Sequence, residues 1–74
     1  MPHIVIKAIE GCTKEQYQQA ADEIAVVIEK TLGKSASSTS VSIEDYKKEE
    51  WETVYNEFIK EKDNVIRKPG YTMP

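Results

Sequence analysis

Seventy-four residues make a single domain over 1–74 at most, and a chain this short buries only about 60% of the surface its unfolded form exposes, so disulfides, a metal or oligomerisation must supplement the core. Cys12 is the sole cysteine and His3 the sole histidine, which excludes an internal disulfide and a Cys/His metal site and leaves oligomerisation. Thirteen acidic against ten basic residues, net −3, with Arg67 the single arginine, exclude the clustered basic surface of a nucleic-acid binder. No apolar run nears the roughly 20 residues of a membrane span and no signal peptide is present, so a soluble, cytoplasmic protein is expected.

Residues 3–9, His3-Ile4-Val5-Ile6-Lys7-Ala8-Ile9, read as a strand with Ile4, Ile6 and Ala8 on one face and His3, Val5, Lys7 and Ile9 on the other, largely apolar on both. Glu10-Gly11-Cys12 breaks the pattern. Thr13-Lys14-Glu15-Gln16 then has the T-x-x-Q spacing of a capping box, with Cys12 and Tyr17 placed for a hydrophobic staple. Tyr17, Ala20, Ala21, Ile24, Val27, Ile28, Thr31 and Leu32 recur at helical spacing and predict one buried stripe, closed by Gly33 at the C′ position.

After the polar connection 34–38, Thr39, Val41 and Ile43 alternate with Ser40, Ser42 and Glu44, a second strand. Strand, helix and strand with short joins predict a right-handed βαβ crossover and a parallel pair, too few strands to stand alone in water. From about Lys48, the residues Trp51, Val54, Tyr55, Phe58, Ile59, Val65 and Ile66 keep a helical period. They predict a second helix ending near Arg67-Lys68, where cations suit the negative helix end and Pro69-Gly70 forbids continuation.

One position carries chemistry. Removal of Met1 leaves Pro2 with a free secondary amine at the start of the first strand, and an amine set beside cations or apolar groups has its pKa lowered toward the range of a general base. The plainer reading is a proline that permits Met1 removal and starts a strand. Cys12 lacks a histidine partner and reads as helix-entry packing. His3 reads as structural or exposed, Lys7 and Lys34 as solvated charges, and Lys47-Lys48 with Glu49-Glu50 as a solvated face.

Met1-Pro2 before a strand, Glu10-Gly11 before a helix, a serine-rich entry to strand two and an aromatic at Trp51 together resemble the tautomerase superfamily, small βαβ proteins named for 4-oxalocrotonate tautomerase. The start Met-Pro-His-Ile-Val-Ile-Lys, then Glu50-Trp51 and Lys68-Pro69-Gly70-Tyr71-Thr72-Met73, are most similar to the short dimeric bacterial branch. The resemblance implies a small α/β (α+β) fold in which a βαβ unit with a second C-terminal helix forms a parallel two-stranded sheet, completed to four strands by homodimerisation. It implies a cofactor-independent and metal-free tautomerase with Pro2 as base, moving a proton in an enol or 2-oxo acid. Two arginines of the founding enzyme are missing: Cys12 and Ser40 stand at the aligned positions, and neither replaces a bidentate guanidinium.

Three further residues have two readings each. The resemblance sets Trp51 at the mouth of the site, against a core or interface anchor. Ser40 donates to a substrate oxygen or is an exposed strand serine. Arg67 reads first as a helix C-terminal cation and second as a substrate carboxylate ligand across the dimer. Two other functions compete with a tautomerase: a hydratase or dehalogenase of unsaturated acids on the same fold, and a non-catalytic dimeric interaction module.

Overall fold

A computed structural model describes all 74 residues, Met1 to Pro74. Strand β1 (His3–Ile9), helix α1 (Lys14–Leu32) and strand β2 (Ser40–Tyr46) are followed by α2 (Trp51–Val54), which runs into a π-helical turn at Tyr55–Ile59. Short 3₁₀ turns, Ala36–Ser38 and Lys48–Glu50, lead into β2 and α2. The strands pair in parallel from His3 opposite Ser40 to Ile9 opposite Tyr46, as a crossover through one helix requires. The βαβ unit with a second helix is therefore present.

The start of α1 follows from its capping box. The Gln16 N–H donates to Thr13 Oγ1 at 3.1 Å and the Thr13 N–H to Gln16 Oε1 at 2.8 Å, satisfying donors that the helix leaves open. Its end follows from Gly33, at φ 69°, a conformation that a Cβ penalises. Tyr17, Ala20, Ala21, Ile24 and Ile28 form the inward stripe, together with Ala25, and all are half-buried. Val27, Thr31 and Leu32, expected in that stripe, are exposed: Val27 lies at its margin, and Thr31 and Leu32 fall in the last turn.

The register divides the sheet into two faces. Ile4, Ile6 and Ala8 share one with Val41, Ile43 and Asp45, and α1 lies against it, with Tyr17 donating to Asp45 Oδ1 at 2.7 Å. His3, Val5, Lys7 and Ile9 share the other with Ser40, Ser42, Glu44 and Tyr46. Phe58 and Trp51 reach this second face near the C-terminal ends of the strands: the Lys7 Nζ lies 4.3 Å from the Phe58 ring centre, and Trp51 meets Tyr46 edge-on at 6.2 Å.

The second helix is shorter than its apolar period predicts. It ends at Ile59: Lys60 turns extended at ψ 121°, and Glu61 takes φ 54°. Val65 and Ile66 belong to an irregular segment, Ile66 being 97% exposed. The run Lys60-Glu61-Lys62-Asp63 offers no apolar residue to anchor another turn, and a helix without a buried face has little to hold it. Arg67 consequently is not a helix C-terminal cation.

Only Val54 and Tyr55 are buried, at 3% and 6% exposure. The chain exposes 6035 Å², against about 4,600 Å² for a compact monomer of this mass. Its radius of gyration is 13.8 Å, against about 11 Å for a compact domain of this length. The chain is a flat slab with little buried interior.

Candidate active site

Pro2 sits half-buried at the head of β1. Its carbonyl accepts the Ser40 N–H at 3.1 Å, which fixes the end of the chain against the start of β2. Met1 beyond it is wholly exposed, at 100%, so the bond that masks the proline nitrogen is open to an aminopeptidase. With Met1 attached that nitrogen is an amide and has no basic lone pair; without Met1 it is a secondary amine.

Ser40, one rung away, is exposed, and its hydroxyl is already engaged. His3 Nδ1 lies 2.7 Å from Ser40 Oγ and His3 Nε2 lies 3.2 Å from Ser42 Oγ. The parallel register causes this. It sets His3 opposite Ser40, so the imidazole leans along the strand between two serines that point to the same side.

Trp51 stands elsewhere. Its indole N–H donates to the Tyr71 hydroxyl at 2.9 Å, and Tyr71 in turn packs against Tyr55 at 5.8 Å between ring centres. Trp51, Tyr71 and Met73 line a shallow, mainly apolar pocket with Lys7, Ala8 and Ile9. This pocket belongs to the C-terminal end of β1, and the strand separates it from Pro2 by about 20 Å at ~3.3 Å per residue. Arg67 makes no hydrogen bond or ion pair within the chain and is exposed. The fold thus brings Pro2 and Ser40 together, and sets Trp51 and the tail apart from them.

Lys7, read as a solvated charge, is instead enclosed. It pairs with Glu44 and reaches the Tyr46 hydroxyl at 3.4 Å while lying over Phe58. The Glu44 carboxylate raises the Lys7 ammonium, and Lys7, helped by the Tyr46 hydroxyl, holds Glu44 below its usual range. Lys7 is therefore spent on the wall of the aromatic end. On the other face the hydrogen bond to Asp45 comes first among the causes that push the Tyr17 phenol up to about 12. The thiol of Cys12 is exposed and shares a groove with Tyr17, Lys14 and Asp45.

Of the residues gathered at the two ends of the strand, His3 was read as structural or exposed, Tyr71 only as part of the tail, and Ser42 and Tyr46 were given no role. Opposite charges at Lys7 and Glu44, each the fifth residue of its strand, were a usable hint of the register, and the register would have put His3 beside Ser40.

The family model described as "Tautomerase enzyme" matches residues 2–60. The chain belongs to the tautomerase family. Among curated tautomerases, a probable tautomerase of Xylella fastidiosa is 34% identical over 96% of this chain and 89% of its own length. Tautomerase PptA of Cronobacter sakazakii is 38% identical over 99% of this chain and all of its own, and Tautomerase PptA of Escherichia coli is 36% identical over the same shares. This tautomerase is accordingly an enzyme of the isomerase class. Pro2, His3, Ser40, Ser42 and Trp51 all lie inside the matched residues, whereas Arg67, Tyr71 and Met73 lie beyond them.

Proposed function

We propose that the protein is a cofactor-independent keto–enol tautomerase in which Pro2, freed by loss of Met1, is the general base for a small 2-oxo acid, and that it works in the cytoplasm as a homodimer of single-domain chains. The amine takes the hydroxyl proton of the enol, the electron pair of the C=C bond takes up a proton at carbon, and the proline nitrogen returns to its neutral form. No net change of atoms or charge results.

The observation that carries this reading is the separation of Pro2 from the aromatic pocket along one strand. A two-fold dimer must pair like with like, either β1 with β1 or β2 with β2, antiparallel in each case. Glu44 and Asp45 make β2 the better guarded edge, while β1 is charged only at Lys7, which is neutralised by Glu44. Pairing of β1 with its copy sets the Pro2 end of one chain beside the Ile9 end of the other, where Trp51, Tyr71 and Met73 wait. The surplus surface of the protomer supports the same assembly: roughly 1,400 Å² over a compact monomer exceeds the ~800 Å² per partner of a standard interface. In that arrangement Trp51 closes the mouth of the other chain's site. The family match beginning at Pro2 supports the mature start.

The test uses protein whose intact mass shows loss of Met1. It is expected to ketonise phenylenolpyruvate or 2-hydroxymuconate, and Pro2→Ala is expected to lose about 10²–10⁴-fold in kcat, the usual share of general acid–base catalysis. Verified Pro2-terminal protein without such activity, or a Pro2→Ala variant as active as its parent, defeats the proposal.

A further inference from the structure

The sheet face opposite α1 has no lysine or arginine at its Pro2 end. In strand order that face carries His3, Val5, Lys7 and Ile9 beside Ser40, Ser42, Glu44 and Tyr46. Lys7 is bound to Glu44, and Lys34 makes no polar contact with this end. A 2-oxo acid nevertheless brings a carboxylate that must be held while the proline works. We infer that Ser40 and Ser42 form the carboxylate-binding pair of the site and that His3, bonded to both, is the positioning residue that decides which way their hydroxyls point. This inference rests on the enzymatic reading above for its location beside Pro2.

The argument is one of donor counting. Neutral imidazole has one N–H and one lone pair, so one serine accepts from the ring and keeps its O–H free, while the other donates its O–H into the ring. The pair then shows the solvent one donor and one acceptor. Imidazolium has two N–H groups, so both serines accept from it and both hydroxyls are turned outward as donors. A carboxylate accepts hydrogen bonds only. Its arrival therefore favours the imidazolium, which takes one proton from solvent and places a positive charge behind two polarised hydroxyls, the stronger charge-assisted arrangement.

The distances of 2.7 and 3.2 Å allow both bonds at once. Exposure of His3 and Ser40 leaves the pair open to a ligand. Few ionisable groups face the trio. Lys7 and Glu44 lie two rungs along and neutralise one another, the chain's amino group is one residue away, and the carboxylates of α1 lie across the sheet.

The experiment follows the His3 ring nitrogens by NMR in Met1-free, ¹⁵N-labelled protein titrated with phenylacetate, a carboxylate that cannot tautomerise, alongside enol ketonisation kinetics. Expected are movement of both ring nitrogens toward the imidazolium, net proton uptake on binding, and at least about tenfold weaker phenylacetate binding in Ser40→Ala/Ser42→Ala, the size of a lost hydrogen bond to a charged group. KM should rise by about the same factor in His3→Ala, with kcat changed far less. His3→Asn, whose amide nitrogen replaces Nδ1 toward Ser40, should recover part of the loss. Ring nitrogens indifferent to phenylacetate, or unchanged KM and binding in both the serine pair variant and His3→Asn, overturn the inference even if the enzyme is fully active. A protein that binds phenylacetate as described but ketonises nothing sustains the serine pair and defeats the Pro2 mechanism instead.

Discussion

The two ends of the sheet are built on opposite plans. The Pro2 end is polar and open: a proline, a histidine and two serines, with no apolar side chain seated over them. The Trp51 end is aromatic and tied down, by Trp51 to Tyr71, Tyr55 to Tyr71, and Lys7 between Glu44, Tyr46 and Phe58. One end offers polar groups in the open, and the other an aromatic wall. On the proposal above, each chain carries two halves of a site that meet only across the dimer, and the chemistry then depends on assembly.

Mixing two inactive variants is the sharpest way to break that contrast. Pro2→Ala and Trp51→Ala chains, refolded together in equal amounts, should recover about a quarter of parental activity if each site takes Pro2 from one chain and Trp51 from the other. Half of the dimers are then mixed, and each mixed dimer has one intact site. Two halves working within one chain would recover nothing, which a single ketonisation assay of the mixture decides.

The aromatic end is next. Glu44 is held below the usual carboxylate range by Lys7, so it contributes stability that is present above about pH 4.5 and is lost as pH falls through its lowered value. Glu44→Gln should flatten this acid limb in urea midpoints compared across pH. Raised Lys7 makes the opposite contribution: it is complete below about pH 10.5 and is lost as pH rises beyond. The same substitution should flatten the alkaline limb too.

On the α1 face, Tyr17 should ionise near pH 12 by tyrosinate absorbance. Asp45→Asn should bring it down without altering KM. The smallest effect is expected at Glu61, whose φ of 54° costs an ordinary side chain about 1 kcal/mol. Glu61→Gly should raise stability by less than that, because glycine also loosens the unfolded chain; a falling thermal midpoint would show that the Glu61 side chain does more than tolerate its turn.

Legibility followed the range of the interactions. The capping box at Thr13 to Gln16, the stop at Gly33, the alternation in both strands and the Met1-Pro2 start are settled within a few residues of chain, so the residues themselves announced them. Val65 and Ile66 misled because a helical period continues through Lys60-Glu61-Lys62-Asp63, although nothing there can be buried. His3 was read as merely structural or exposed because its contacts are with Ser40 and Ser42, nearly forty positions away.

By itself, then, the sequence determined the order of the elements, the proline that loss of Met1 would unmask, and the shortage of core in so short a chain, all consequences of local geometry and of counting. Tertiary structure alone decided which side chains share a face, where the second helix stops, and that Pro2 and Trp51 lie at opposite ends of one strand. The physical reason is register. Sliding β2 by one residue would exchange its two faces, and only packing of the whole chain chooses the offset that sets His3 between two serines.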